Sequence, residues 1–147
     1  MVERFERFSA AIFEITRHWH KIAADEMERY GLKGAHAVYL IALSHHPQGV
    51  TAAELCDLCA RDKADVSRMV LLMEDKGLVR REGRMYRSKI YLTDEGLVAA
   101  EHVRQRASKA VELGGTGITD AERCQFYDTL ERIASNLQKI SEEGLPV

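Results

Sequence analysis

The sequence predicts a mainly α-helical fold with one small β-hairpin, and three observations predict it. Apolar residues near both ends of the chain recur in steps of three and four, the spacing of one helix face. Thr-x-x-Glu start signals at Thr51–Glu54 and Thr119–Glu122 precede such stretches. Only residues 78–92 abandon that spacing, for a run of β-branched and aromatic residues on either side of Gly83.

The first helix carries Phe5, Phe8, Ile12, Ile15, Trp19 and Ile22 along one seam and ends before Gly31. An amphipathic helix must bury its stripe, so this one needs either the core or a second subunit. A second helix is expected over residues 35–45, broken by Pro47 and Gly49. Thr51 opens a short third helix, which carries Leu55 and Leu58 and ends near Ala60. Asp62 and Asp65 suit the positive end of a fourth helix, and Gly77 stops it, with Val66, Met69, Val70 and Met73 on its inner face.

The hairpin follows, with strands at 78–82 and 87–92 and a polar tip at 83–86. Thr93, Asp94 and Glu95 start a long helix to about Leu113, and Gly114, Gly115 and Gly117 break the chain. The last helix again steps by three and four through Tyr127, Leu130, Ile133, Leu137 and Ile140. The seam residues Phe5, Phe8, Ile12, Ile15, Leu130, Ile133, Leu137 and Ile140 thus need cover from either the core or a second subunit, and are the dimerisation candidates if the cover is a second copy.

At 147 residues one domain is expected. The 46% apolar content can furnish a core, while 30% charged residues fit a chain that stays in water. No apolar run approaches the roughly 20 residues of a membrane span, and the opening MVERFERF lacks the apolar centre of a secretion signal, so no membrane partner and a cytoplasmic location are expected. Three cysteines do not suggest a disulfide scaffold.

Charge is uneven. From Arg61 to Lys89 nine basic residues face five acids, a net of +4, which leaves −6 for the rest of a chain whose total is −2. A basic stripe on an acidic protein points to a localised anionic partner.

Two short helices, a turn and a basic hairpin make a winged helix-turn-helix, whose second helix can lie in the major groove of DNA. With Val66, Met69, Val70 and Met73 inward, Ala64, Arg68 and Leu71 face outward and Asp65 and Ser67 flank them. A small residue allows close approach, Arg68 can fork onto guanine, Ser67 can bond a base or phosphate, and Leu71 suits a thymine methyl. Lys63 at the helix start and Arg84 and Arg87 on the hairpin suit phosphates or a narrow minor groove.

Other chemistries find less support. Cys56 and Cys59 form a C-x-x-C, a pattern of redox centres or half a zinc site, but no second pair follows and both fall beside Leu55 and Leu58 on a helix, where cysteine packs as a small hydrophobe. Thiol sensing by Cys56, Cys59 or Cys124 stays open. His18 and His20 stand about 200° apart around a helix and cannot share an ion. A metal site would have to draw on different helices, for example His18, His36 and His102, so no metal or cofactor is assigned. No nucleophile elbow, phosphate loop or metalloprotease helix is present, and no enzyme activity is expected. A module that docks an acidic protein surface remains the other alternative.

At several segments the chain resembles the MarR family of bacterial transcriptional regulators. These are Gly31-Leu-Lys-Gly-Ala-His36, Thr51-Ala-Ala-Glu-Leu55, Val66-Ser-Arg-Met-Val70, Lys76-Gly-Leu-Val-Arg80 and Tyr91-Leu-Thr-Asp-Glu-Gly96. The resemblance implies a homodimer held by residues 1–30 and 94–147. It implies winged modules at 35–92 that read a pseudo-palindromic operator, with repression preferred over activation. Ser67 and Arg68 would contact DNA and Arg87 would be the wing arginine, although Met85 stands where the family commonly has an aspartate that orients it. A small effector, suited to aromatic chemistry, would sit among the first, second and fifth helices, which makes His18, Trp19, His36 and Tyr39 candidates by position.

Overall fold

The computed structural model describes residues 3–84 and 87–147, so the expectation placed on Met85 and Tyr86 at the wing tip lies outside the described residues. It is mainly α-helical with one antiparallel hairpin, as the sequence predicts. In order run α1 (Arg4–Glu28), a 3-10 turn (Gly34–His36), α2 (Ala37–Ser44), α3 (Ala52–Cys59), α4 (Lys63–Asp75), β1 (Val79–Glu82), β2 (Lys89–Leu92), α5 (Asp94–Gly114) and α6 (Asp120–Glu143). The expected second helix begins later than its apolar residues suggest, because its first turn winds tightly as 3-10.

Local chemistry sets these boundaries. Thr51 Oγ accepts the Glu54 amide at 3.2 Å and the Glu54 carboxylate takes the Thr51 amide at 3.4 Å, a reciprocal cap on α3. Thr119 and Glu122 repeat it on α6 at 3.2 and 2.8 Å. Asp62 Oδ1 accepts the Asp65 amide at 2.7 Å to open α4. Between α3 and α4 the chain turns through Ala60 at φ +51°, a left-handed conformation that an alanine adopts at a cost of about 1–2 kcal/mol. The bond from the Arg61 amide to the Cys56 carbonyl, 3.1 Å, secures that turn.

The chain divides into two compact units, residues 1–108 and 109–147. In the first, the fully buried side chains include Tyr39, Met27, Leu40, Leu55, Met73 and Ile90. The inner face of α4 is buried throughout: Val66, Met69, Val70 and Met73 are all within 3% of complete burial. The hairpin pairs Val79 with Leu92, Arg80 with Tyr91, Arg81 with Ile90 and Glu82 with Lys89. Val50 adds a single bridge to Ile90 through bonds of 3.1 and 2.7 Å. Both strands are shorter than the sequence suggests. The Leu78 amide is taken by the Met73 carbonyl at 2.9 Å to close α4, so β1 cannot begin before Val79.

The second unit holds the end of α5, the glycine-rich turn and α6. None of its residues is buried, and Val111, Leu113, Phe126, Tyr127 and Leu137 are exposed. In the first unit, α1 buries only Met27 among its own residues, while Phe5, Phe13 and Ile15 stand open at 68%, 73% and 58% exposure.

Candidate nucleic-acid interface

The outward face of α4 presents Lys63, Ala64, Ser67, Arg68 and Leu71, all exposed. Asp65 is half-buried beside them. Leu71 is 62% exposed on a helix whose other side fills the core. Arg84 and Arg87 are exposed on the hairpin, and neither forms an ion pair among the described residues. The neighbouring cations are engaged within the module. Arg80 lies over the Tyr91 ring at 4.4 Å and pairs with Glu82, and Arg81 Nε donates to Glu74 at 2.7 Å. These contacts brace the two strands of the hairpin.

Asp65 ties this face to the core. Its Oδ2 accepts the Tyr39 hydroxyl at 2.5 Å, and its Oδ1 stands 3.8 Å from an Arg68 guanidinium nitrogen. Tyr39 is 1% exposed, and burial together with this bond pushes its hydroxyl far above the usual range, so it stays a donor.

A cavity of about 620 Å³ lies within the first unit, lined by Trp19, Ile22 and Ala23 of α1, Val38 and Ile41 of α2, and Val103 of α5, with Arg61 and Arg106 at its polar margin. Arg106 Nε donates to Glu26 at 2.7 Å, and the other Glu26 oxygen meets His102 Nε2 at 3.2 Å. The Arg106 bond, reinforced by His102, holds the Glu26 carboxyl below its usual range. Arg61 has no such ion pair among the described residues.

Of the four effector candidates, Trp19 lines this cavity and the other three lie elsewhere. His18 sits on the surface of α1 at 3.1 Å from Glu14, four residues earlier. His36 Nδ1 accepts the Lys33 amide at 2.9 Å, and burial lowers its basicity. Tyr39 is spent on Asp65. Sequence reasoning missed Arg61, Arg106 and Glu26. A charge one residue before a helix cap was the available signal for Arg61, whereas the meeting of Glu26 and Arg106 across 80 residues leaves no local trace.

Among the described residues no group of three or more His, Cys, Asp or Glu side chains is arranged to hold a metal ion. Among the same residues no helix is long and apolar enough to cross a membrane.

Residues 30–84 match the model of the MarR family. No curated protein matches the chain significantly. A MarR transcriptional regulator from Methanosarcina mazei is 25% identical, with a TM-score of 0.80 over 95% of this chain and 94% of that one. MepR from S. aureus, solved as a DNA complex, is 21% identical with a TM-score of 0.78, over 88% and 97% of the two chains. CouR from Rhodococcus jostii, solved with p-coumaroyl-CoA, is 22% identical with a TM-score of 0.71, over 86% and 91%. At these identities the last two show likeness of fold.

Proposed function

We propose that the chain is a transcriptional regulator of the MarR family that binds double-stranded DNA as a homodimer on a pseudo-palindromic operator, a reading supported by the family match over residues 30–84 and by the shared fold. The observation that carries this reading is the two-sidedness of α4, with one face wholly buried and the other offering Ser67, Arg68 and Leu71 to solvent beside a basic hairpin. Small, cationic, hydroxyl and apolar side chains on one exposed helix face are the chemistry that major-groove reading needs, which supports the proposal. The fold it shares with MepR, which was solved on DNA, supports the same reading.

The homodimer is supported by apolar faces that one chain leaves uncovered. Long helices bearing Phe5, Phe13 and Ile15, or Phe126 and Leu137, in contact with water are stabilised by burial against a second copy. Repression is the sign of regulation proposed, exerted by occupying the operator. The roughly 300–1,000 Å³ typical of ligand pockets includes the cavity beside Trp19, and its apolar wall with Arg61 at the margin, the Arg106 charge there being met by Glu26, suits a small aromatic acid as effector.

Selection of duplexes from a random pool tests the reading. An inverted repeat with half-sites about one helical turn apart is expected, with affinity that falls steeply as salt rises. Recovery of no consensus, or retention insensitive to salt, overturns it in favour of protein docking.

A further inference from the structure

The Tyr39–Asp65 bond joins the largest fully buried side chain of the core to the helix that carries the exposed reading face. A buried phenol needs an acceptor, and a backbone carbonyl would serve. The acceptor here is instead a carboxylate in the first turn of α4, three residues before Arg68 and 3.8 Å from its guanidinium. An acid there weakens attraction to phosphates, and with Arg68 72% exposed the ion pair adds little stability. What the arrangement does supply is direction. One carboxylate oxygen is fixed by a hydroxyl anchored in the core, so the other is held at a set place beside Arg68. A long side chain with free rotamers is thereby biased toward one approach to a base edge.

We propose that Tyr39 is a positioning residue for DNA reading: its hydroxyl fixes the Asp65 carboxylate, which orients the Arg68 guanidinium on the outer face of α4. Tyr39 then governs how sharply one base pair is read without touching DNA. The proposal rests on the reading of α4 as the recognition helix and adds a residue that groove contacts alone would never disclose.

The test uses the full chain, a duplex that the unaltered protein selects from a random pool, and a set of duplexes each changed at one base pair. Loss of discrimination in Arg68→Ala identifies the base pair that Arg68 reads. Tyr39→Phe, which removes only the hydroxyl, is expected to lose on the order of 10-fold discrimination at that same base pair and to keep it elsewhere. Added to Arg68→Ala it should change nothing further, the non-additivity of two residues acting through one contact. Asp65→Asn keeps an acceptor for Tyr39 but no charge for Arg68, and the same base pair should relax. A purely structural role predicts a lowered melting temperature with unaltered base preference.

Tyr39→Phe that folds and discriminates as the unaltered protein does, or that loses affinity evenly over all duplexes, overturns the proposal. Should Tyr39→Phe fail to fold, unchanged discrimination by Asp65→Asn overturns it. If Arg68→Ala relaxes no base pair, it falls as well. A selected consensus with these variants silent defeats the positioning role alone, whereas no consensus at all defeats the recognition-helix reading and the proposal together.

Discussion

Gly96, in the first turn of α5, passes so close to Leu78 that a Cβ built on it would lie 2.0 Å from the Leu78 carbonyl oxygen. That oxygen also accepts the Thr93 amide at 3.0 Å, and Thr93 Oγ bonds the Gly96 amide and the Gly77 carbonyl. The end of α4, the root of the hairpin and the start of α5 thus meet at one crowded point. Gly96→Ala should force the backbones apart and destabilise the protein by about 1–3 kcal/mol, read as a lower midpoint in urea unfolding. An unchanged midpoint would mean that the junction yields without cost.

Glu26 joins α1 to the Arg106 and His102 side chains of α5, and its carboxyl is held below the usual range chiefly by the Arg106 bond. A depressed carboxyl contributes stability that is present above its unfolded value, roughly 4.3, and is lost as pH falls through the folded value. The melting temperature of Glu26→Gln should therefore lie below that of the unaltered chain at pH 7, and the gap should close on acidification below pH ~4. Water still reaches the 22%-exposed Glu26 side chain, so the difference should not exceed about 1 kcal/mol. A gap independent of pH would assign the effect to packing.

The contrast between these two junctions shows what a sequence makes legible. The caps at Thr51, Asp62 and Thr119 could be read directly, because each joins residues three apart and depends on side-chain type alone. The two faces of α4 could be read for the same reason, since a helical period fixes which residues are opposite. The cavity could not, because α1, α2 and α5 each contribute a part of it and no spacing relates Trp19 to Val38 or Val103. The Tyr39–Asp65 bond spans 26 residues, and from sequence alone the two belonged to different sites. His18, an effector candidate by position, meets Glu14 one turn before it, a pairing that i, i+4 spacing makes legible.

The thiols should separate by burial. Cys124 is exposed, Cys56 half-buried and Cys59 buried, and burial pushes the Cys59 thiol up so that less thiolate is present at neutral pH. Titration with an aromatic disulfide reagent should modify Cys124 first and Cys59 last, with all three accessible only after unfolding. Equal rates for Cys59 and Cys124 would contradict packing and favour a thiol sensor.

Arg68→Ala should cost roughly 1–3 kcal/mol of specific binding to a selected duplex and leave binding to random DNA much less affected. Arg84→Ala should weaken both together and reduce the slope of affinity against salt by about one. Fluorescence anisotropy at several salt concentrations distinguishes the two patterns. Equal operator affinity for Arg68→Ala would remove it from the reading face.

The proposed dimer would let such a face address two half-sites. Ile15 on α1 is 58% exposed and Leu137 on α6 is 50% exposed, and each belongs to a row of apolar residues that is covered only in part. A charge introduced at either position would have to be desolvated to pair with a second copy, at a cost of several kcal/mol when it finds no partner. Ile15→Asp and Leu137→Asp should therefore shift the chain toward monomer in sedimentation at micromolar concentration without unfolding it, since neither side chain enters the buried core. A monomeric winged module keeps its phosphate contacts but loses the second half-site, so operator affinity should fall toward that for random DNA. A variant that is monomeric and still binds the full operator as tightly as the unaltered chain would sever assembly from recognition.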